Sequence, residues 1–351
     1  GDKFAAMMPG GRAVAEFTLG AQRLLEQLAR PYSLGGREVF LTISLGVAVA
    51  PQDGERDEAL LGNAENAMYR AKEHSGNQCR FYTSALDFVW SERAKLEVAL
   101  RQAVADEAFA LVYQPQVEAD GTLAGFEALV RWPRPGDTPV YPDCFIPLAE
   151  ECGLILPLGW QIIEMALAQA RRWLDAGRPV KRLAVNLSAK QLCDPALAQK
   201  LFELLMKHRL SPTLLELEIT ESAAIGREKD VADFLAGFRR QGITVALDDF
   251  GTGYSSLHMM RMLPIQVVKI DRSFIFDLTT NKTNAAIVAA AVAMAKSLGL
   301  EVVAEGVETR DQLDSLTDWG CDLIQGYYFS RPLPKAGLVS MLPRLGESLA
   351  L

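Results

Sequence analysis

The chain has 351 residues, 49% hydrophobic and 23% charged, so it can bury one large core and a smaller one. Acidic residues outnumber basic ones by 44 to 36, and the net charge of −8 gives no broad basic face for a nucleic-acid polymer. The five cysteines are scattered without zinc or redox spacing, which fits a reducing cytoplasm. The longest apolar stretch, residues 285–295, is too short to span a bilayer, and no signal peptide is visible. We therefore expect a cytoplasmic segment without membrane contact, and leave open an inner-membrane anchor upstream of Gly1.

Residues 1–83 have the pattern of a small α/β piece. The strand-like stretch VFLTISLGVAVAP, residues 39–51, precedes a helical pattern at residues 57–77 that ends at a Gly-Asn stop. Residues 84–105 are charged and amphipathic and contain neither glycine nor proline. They predict a helix that links the small piece to the rest of the chain.

From residue 109 onward, short apolar runs alternate with helical patterns. The eight runs are FALVYQPQ, FEALVRW, LAVNLS, LLELEITE, TVALDD, QVVKID, VVAEG and LIQGYYF. Eight strands in roughly 250 residues predict a closed (β/α)8 barrel of the TIM type. A doubly wound open sheet is the alternative, but it usually has fewer strands and a Gly-rich turn after the first, which is missing here.

Seven successive predicted strands each carry a polar side chain near the C-terminal end. Side chains alternate along a strand, and the outer face of a barrel must be apolar because helices pack on it. The alternation therefore points seven side chains inward: Glu127, Asn186, Glu218, Asp248, Lys269, Glu305 and Gln325. Arg131 shares the face of Glu127, and Glu216 turns inward at a deeper level without an identified partner. These strand ends form the mouth at which barrel enzymes carry their active sites.

Two aspartates stand side by side where the TVALDD run stops. We expect Asp248 to be the last strand residue and Asp249, just past the end, to turn to the same rim. Five carboxylates would then converge, although two like charges about 4 Å apart repel by roughly 4 kcal/mol at an effective dielectric near 20. Together with the amide oxygen of Asn186, they favour two hard cations, Mg²⁺ or Mn²⁺. A buried salt-bridge network with Lys269 and Arg131 is the structural alternative, but five negative charges against two positive ones leave it unbalanced.

Two glycines follow the aspartates. Gly251 and Gly253 are either ordinary turn glycines or positions that let the DFGTGYSSL loop move over the site.

Several motifs occur in one order along residues 91–345: E127-A-L-V-R131, N186-L-S, E218-I-T-E221, D248-D-F-G-T-G-Y-S-S-L257, K269-I-D271, E305-G-V-E308 and Q325-G-Y. Together they resemble the EAL domain, the family of cyclic di-GMP phosphodiesterases. The resemblance implies a variant (β/α)8 barrel whose first strand is antiparallel. It also implies hydrolysis of one phosphodiester bond of cyclic di-GMP to give linear pGpG.

The resemblance also implies a role for each matching residue. The metal-binding positions are Glu127, Asn186, Glu218, Asp248, Asp249 and Glu305, and the catalytic set is Glu127, Asp249, Lys269 and Glu305. Lys269 would help to position or deprotonate the attacking water. Gln114, Arg131 and Gln325 would contact the substrate, and Glu221 would anchor the mobile loop. A homodimer through the EAL domain, near the DFGTGYSSL loop, is implied as well.

The first 83 residues resemble the C-terminal half of a GGDEF domain, the fold of diguanylate cyclases. GDKF would be the end of the signature, and Lys3 stands where the signature has glutamate. This exchanges a metal-binding anion for a cation, and the half that would hold most of the nucleotide pocket is absent. We expect no cyclase activity, and leave open whether the intact domain binds GTP or regulates the parent protein.

Two alternatives to the hydrolase stay open. One is a catalytically silent module that binds cyclic di-GMP and signals to a partner; such modules usually lose metal ligands, whereas here the set is complete. The other is a barrel phosphohydrolase that acts on a different substrate.

Overall fold

The structure, a computed structural model, describes most of the chain. The described residues are 3–7, 20–21, 23–25, 27–28, 32–34, 37–39, 43–73, 78–134, 140–178, 180–225, 228–251 and 256–338. Contacts divide the chain into two units, Gly1–Ala99 and Leu100–Leu351. Within the described ranges, no helix combines the length and the apolar character that crossing a membrane requires.

Among its described residues, the first unit contains two small sheets and a long helix, and residues 20–21, 23–25 and 27–28 are also helical. Strands β1 (Tyr32–Leu34) and β2 (Arg37–Val39) pair antiparallel, and β3 (Leu45–Val47) pairs parallel with β4 (Cys79–Phe81). The predicted strand over residues 39–51 is therefore wrong as a single element. Helix α1 (Asp57–Glu73) packs on β3, where a Cβ at Gly46 would lie 2.0 Å from the backbone oxygen of Ala64. Glycine at this position thus permits the close approach of helix and strand.

Lys3 lies beside α1. Its ammonium forms an ion pair with Glu65 and a hydrogen bond of 2.8 Å to the Tyr69 hydroxyl. The cation that replaces the signature glutamate is thus used in local surface contacts. Helix α2 (Ser84–Ala105) follows and has the bounds predicted for the linking helix.

The second unit is a closed eight-stranded barrel. Its strands are β5 (Ala110–Glu118), β6 (Leu123–Arg131), β7 (Leu183–Leu187), β8 (Leu215–Thr220), β9 (Thr244–Phe250), β10 (Val267–Ile270), β11 (Glu301–Glu305) and β12 (Leu323–Gln325). Strands β6 to β12 are parallel neighbours in chain order, and β5 pairs antiparallel with both β6 and β12. The predicted variant barrel is confirmed, and the open sheet is excluded.

A short strand, β13 (Leu333–Pro334), adds to the barrel beside β5. Leu333 pairs with Tyr113, and Pro334 pairs with Val112, in antiparallel orientation. Strand β12 covers the other end of β5, through Glu118 and Val117. The first barrel strand is therefore held by β6 along one edge and by two different strands along the other.

Helices separate the successive parallel strands. Their bounds are α3 (Pro142–Glu151), α4 (Ile155–Asp175), α5 (Ala189–Leu192), α6 (Leu197–Lys207), α7 (Glu221–Ala224), α8 (Glu228–Arg240), α9 (Ser256–Met262), α10 (Arg272–Ile275), α11 (Lys282–Ser297) and α12 (Arg310–Asp318), with α13 (Lys335–Leu338) after β13. A 3-10 turn at Pro212–Leu214 precedes β8.

The barrel interior is layered. Ala246, Val267, Val303 and Leu323 form a buried apolar cluster, joined by the partly buried Ala124. The first four of these residues each lie two positions before a polar residue at the mouth, and therefore on the same face of the strand. A dry apolar layer thus supports the polar mouth from below.

Candidate active site

Lys269 lies at the centre of the mouth and is fully buried. Its Nζ is 2.6 Å from a carboxylate oxygen of Glu305 and 2.8 Å from one of Glu218. Asp248 and Glu127 follow at 3.2 and 3.5 Å. Strands β6, β8, β9 and β11 thus each present a carboxylate to a single ammonium on β10.

The two adjacent aspartates occupy a β-bulge. Leu247 pairs with Val268 and Phe250 pairs with Ile270, so two residues of β9 stand opposite one residue of β10. Asp249 has a φ of 55°, in the left-handed region that aspartate tolerates better than most residues. Because β9 continues to Phe250, the prediction that the strand ends at Asp248 is wrong. The bulge brings the adjacent carboxylates to one rim.

Amide side chains hold Glu127 from both sides. Asn186 donates a hydrogen bond of 2.8 Å to Oε1 of Glu127, and Gln325 donates one of 2.5 Å to Oε2. Gln325 also donates to Gln114 at 3.3 Å and accepts from Gln116 at 3.1 Å. Gln116 was not among the predicted site residues. Its position two residues after Gln114, on the same face of β5, is the sequence signal that indicates it.

Burial raises the pKa of several mouth carboxylates, and their mutual repulsion adds to this shift. The pKa of Glu218 lies well above its usual value, and that of Asp248 is also raised. The pKa of Asp249 rises to about 6 and that of Glu305 to about 8. The cluster therefore gains stability from a proton or another cation.

Glu127 and Lys269 shift in the direction that favours their charged forms. Burial alone would raise the pKa of Glu127, but the Lys269 ammonium and the hydrogen bond from Gln325 outweigh it and lower the pKa. Burial alone would lower the pKa of Lys269, but the acids around it, Asp248 first among them, raise it well above its usual value. The two residues form the charged centre of the site.

The donor set fits hard divalent cations. Asp248, Asp249 and Glu305 can each offer one oxygen, and these oxygens lie within 4.8 Å of one another. With Glu127 and Glu218, five carboxylates face one ammonium, and buried negative charge in such excess needs further positive charge. Carboxylate and amide oxygens are the ligands that Mg²⁺ and Mn²⁺ prefer.

Arg131 ends β6 at the rim and is partly buried. Burial lowers the pKa of its guanidinium. Its Nη1 donates to the backbone oxygen of Val130 at 2.8 Å, and no salt bridge links it to an acidic residue of the described ranges. The network considered as an alternative thus contains Lys269 without Arg131, which makes its charge imbalance larger than the sequence suggested.

Glu221, at the start of α7, contacts the beginning of the loop after β9. Its Oε1 accepts a hydrogen bond of 3.0 Å from the backbone nitrogen of Gly251. Gly251 has a φ of 102°, and a Cβ there would lie 2.6 Å from the Phe274 ring, so this position requires glycine. Gly253 and three other residues of the DFGTGYSSL motif, at positions 252, 254 and 255, lie outside the described residues.

Glu216 has a partner at the base of the barrel. Its Oε2 lies 3.2 Å from Nη1 of Arg182, which also lies 2.6 Å from Glu301. Burial raises the pKa of Glu216 to about 7. Arg182 was not predicted as the partner of Glu216. Strand alternation, extended from Asn186 toward the N-terminus, places Arg182 on the inward face.

Comparison with known proteins identifies both parts of the chain. A family profile described as EAL domain matches residues 97–332, and one described as diguanylate cyclase, GGDEF domain, matches residues 1–78. The bifunctional diguanylate cyclase/cyclic di-GMP phosphodiesterase MucR of Pseudomonas aeruginosa is 39% identical over 342 residues, which cover 97% of this chain and 50% of that protein. Cyclic di-GMP phosphodiesterase NbdA, from the same species, is 40% identical over 92% of this chain and 41% of that protein. The chain thus spans half or less of the length of these relatives.

Solved structures show the same fold. The PaMucR phosphodiesterase in complex with c-di-GMP shares 42% sequence identity and a TM-score of 0.67, over 70% of this chain and 99% of that one. The EAL enzyme Bd1971 in a cAMP-bound form shares 31% identity and a TM-score of 0.68, over 74% and 73% of the two chains. The chain therefore belongs to the EAL domain family and carries part of a GGDEF domain before its barrel.

Proposed function

We propose that this chain hydrolyses cyclic di-GMP to linear pGpG in a reaction that depends on divalent metal ions. The observation that carries the proposal is the mouth itself, where four carboxylates lie within 3.5 Å of one buried ammonium and Asp249 adds a fifth beside Asp248 and Glu305, in a barrel of the EAL family. Relatives named cyclic di-GMP phosphodiesterases, and the c-di-GMP complex of a 42% identical chain, support the choice of substrate.

Six side chains would hold two ions of Mg²⁺ or Mn²⁺: Glu127, Asn186, Glu218, Asp248, Asp249 and Glu305. The adjacent oxygens of Asp248, Asp249 and Glu305 support a cation on that side of the mouth. Glu127, which lies on β6 and outside that group of three, would help to hold a second one. Bound cations supply a water of lowered pKa and neutralise negative charge on the phosphate.

Lys269 would hold and orient the attacking water and stabilise charge that develops at phosphorus. Its raised pKa supports a protonated ammonium in this role. Arg131, which forms no salt bridge with an acidic residue of the described ranges, would bind a phosphate oxygen. Gln114 and Gln325 would contact the substrate beside Glu127, in the amide network that already joins the three side chains.

The test is turnover of cyclic di-GMP by the purified chain with Mg²⁺ or Mn²⁺, followed by chromatography of the products. Appearance of pGpG supports the proposal. Tight nucleotide binding without any product would favour the silent binding module. Hydrolysis of other phosphodiesters in preference to cyclic di-GMP would favour a barrel phosphohydrolase that acts on a different substrate.

The homodimer implied by the family resemblance stays a proposal, as does a cytoplasmic location for this segment. Light scattering coupled to size-exclusion chromatography tests the first. A reporter fusion to the parent protein tests the second.

A further inference from the structure

Gln312 is a buried residue in the first turn of α12, outside the ligand set of the mouth. Its Oε1 accepts hydrogen bonds from the backbone nitrogens of Glu308 at 2.8 Å and Thr309 at 3.0 Å. In return, the backbone nitrogen of Gln312 donates a hydrogen bond of 3.3 Å to the Thr309 hydroxyl. This is a capping box, and either glutamine or glutamate can form one.

The side-chain amide nitrogen of Gln312, Nε2, donates hydrogen bonds to a different segment of the chain. It donates to the backbone oxygen of Ile275 at 2.9 Å and to that of Phe276 at 3.3 Å. These carbonyls end α10, the short helix that follows β10. Only the uncharged amide can make both sets of contacts, because a carboxylate has no donor for the two carbonyls.

The two segments that Gln312 joins carry Glu305 and Lys269, whose charged atoms lie 2.6 Å apart. Gly306 packs so tightly on the start of α10 that an added Cβ would lie 2.6 Å from the Cβ of Arg272. On the other side, the nitrogen of Val307 donates to the backbone oxygen of Gln325 at 3.2 Å. The loop after β11 is therefore held to β12 by backbone hydrogen bonds and to the turn after β10 by the side chain of Gln312.

We propose that Gln312 is a positioning residue, which keeps the loop after β11 and the turn after β10 in the arrangement that sets Glu305 against Lys269. Its contribution to turnover rests on the proposed function. Its contribution to metal binding follows from the placement of Glu305 alone and can be measured without substrate.

The sharpest variant is Gln312→Glu, which keeps an acceptor for the cap of α12 and removes the donor to α10. Gln191 offers a matched control because it is also buried, also forms a capping box, with Ser188, and also lies just beyond a barrel strand. Its amide nitrogen makes no hydrogen bond to a described residue. Gln191→Glu therefore buries the same new carboxylate without removing a link between two segments.

We expect Gln312→Glu to weaken Mn²⁺ binding about tenfold and to lower kcat about 10- to 100-fold, with KM within about threefold of wild type. We expect Gln191→Glu to stay within about threefold of wild type in all three quantities. Mn²⁺ binding is followed by electron paramagnetic resonance in the absence of nucleotide. Thermal unfolding of each variant without metal reports the cost of the buried charge separately. Gln312→Met, which removes both the donor and the cap acceptor without adding charge, is compared with Gln191→Met if Gln312→Glu does not fold.

If the Gln312 and Gln191 variants bind Mn²⁺ equally well, the positioning role is overturned. If wild type binds Mn²⁺ but does not cleave cyclic di-GMP, the proposed function fails, and the Mn²⁺ titration still decides the role of Gln312. A loss of Mn²⁺ affinity limited to the Gln312 variants supports it.

Discussion

The described part of the barrel contains a charge cluster at each end, and the two are built differently. At the base, one guanidinium, that of Arg182, lies between the carboxylates of Glu216 and Glu301. At the mouth, the ammonium of Lys269 faces four carboxylates within 3.5 Å, and Asp249 adds a fifth beside Asp248 and Glu305. Two strands supply acids to both clusters, since β8 carries Glu216 and Glu218 and β11 carries Glu301 and Glu305.

The difference in charge balance distinguishes a cluster that is nearly neutral by itself from one whose carboxylates can take up a further cation. One cation against two acids, one of them with a pKa near neutrality, approaches internal balance. One cation against five acids does not, even though burial raises the pKa of four of these acids, and such a cluster needs further protons or cations to compensate it. The acidic excess thus marks the mouth as the end of the barrel where cations bind.

Among the tests of the difference between mouth and base, removal of divalent metal should have the largest effect, and this effect is on hydrolysis at the mouth. With EDTA present, we expect hydrolysis of cyclic di-GMP to fall to the assay background, because no metal then supplies the attacking water and the acidic excess of the mouth faces an anionic substrate. Adding Mg²⁺ or Mn²⁺ in excess should restore it. Turnover that survives chelation and dialysis would contradict the proposed role of the mouth.

The next largest effect is expected from glutamate-to-alanine variants at the two ends of the barrel, which should differ in their kcat and in their free energy of unfolding. Glu127→Ala should lower kcat about 100-fold or more and weaken nucleotide binding much less, because a proposed metal ligand and the partner of Asn186 and Gln325 are lost. Glu301→Ala should leave kcat within about threefold and reduce the free energy of unfolding by about 1 kcal/mol. Steady-state kinetics, nucleotide binding and urea unfolding of both variants measure this. Equal losses of activity would show that the two clusters act as one.

A smaller effect is expected at the edge of the mouth. Glu221→Ala should lower kcat about tenfold, because the hydrogen bond that fixes the Gly251 nitrogen is lost. Glu221→Gln keeps an acceptor for that bond and should stay within about threefold of wild type. Initial rates at saturating cyclic di-GMP distinguish the two, and identical rates would exclude an anchoring role.

The smallest effect concerns the base and its dependence on pH. Burial raises the pKa of Glu216 from 4.5 to about 7 in the folded state, so the folded chain holds a proton there that the unfolded chain has lost. The stability from this proton is fully present below about pH 4.5 and is lost as the pH rises through about 7.

Glu216→Gln should therefore flatten the fall of Tm between pH 5 and pH 8, measured in EDTA so that metal binding does not contribute. Wild type and variant should differ mainly at the alkaline end of this range. Parallel curves would show that Glu216 keeps an ordinary pKa in the fold.

Much of the barrel follows from the sequence because period-two alternation is a local property. Each inward residue at the mouth lies on a strand whose outer face is apolar, and this pattern also located Glu216. The same pattern, extended before Asn186, would have found Arg182. The antiparallel first strand came from the family resemblance, since alternation carries no information on strand direction.

Other features depend on contacts between distant segments. The bulge at Asp248 and Asp249 is defined by the register of β9 against β10, and a single strand does not display it. The sequence around Gln312 shows only the pattern of a helix cap. Its hydrogen bonds to the carbonyls of Ile275 and Phe276 join segments that are distant in the sequence, so only the folded chain displays them.

The pairing of β13 with β5 bears on where the domain can be cut. The family profile ends at residue 332, one residue before β13 begins. A shortened chain that stops there would leave Val112 and Tyr113 with an unpaired backbone edge next to Gln114, and such edges invite pairing with other chains. Expression boundaries for the isolated barrel should therefore extend past Pro334.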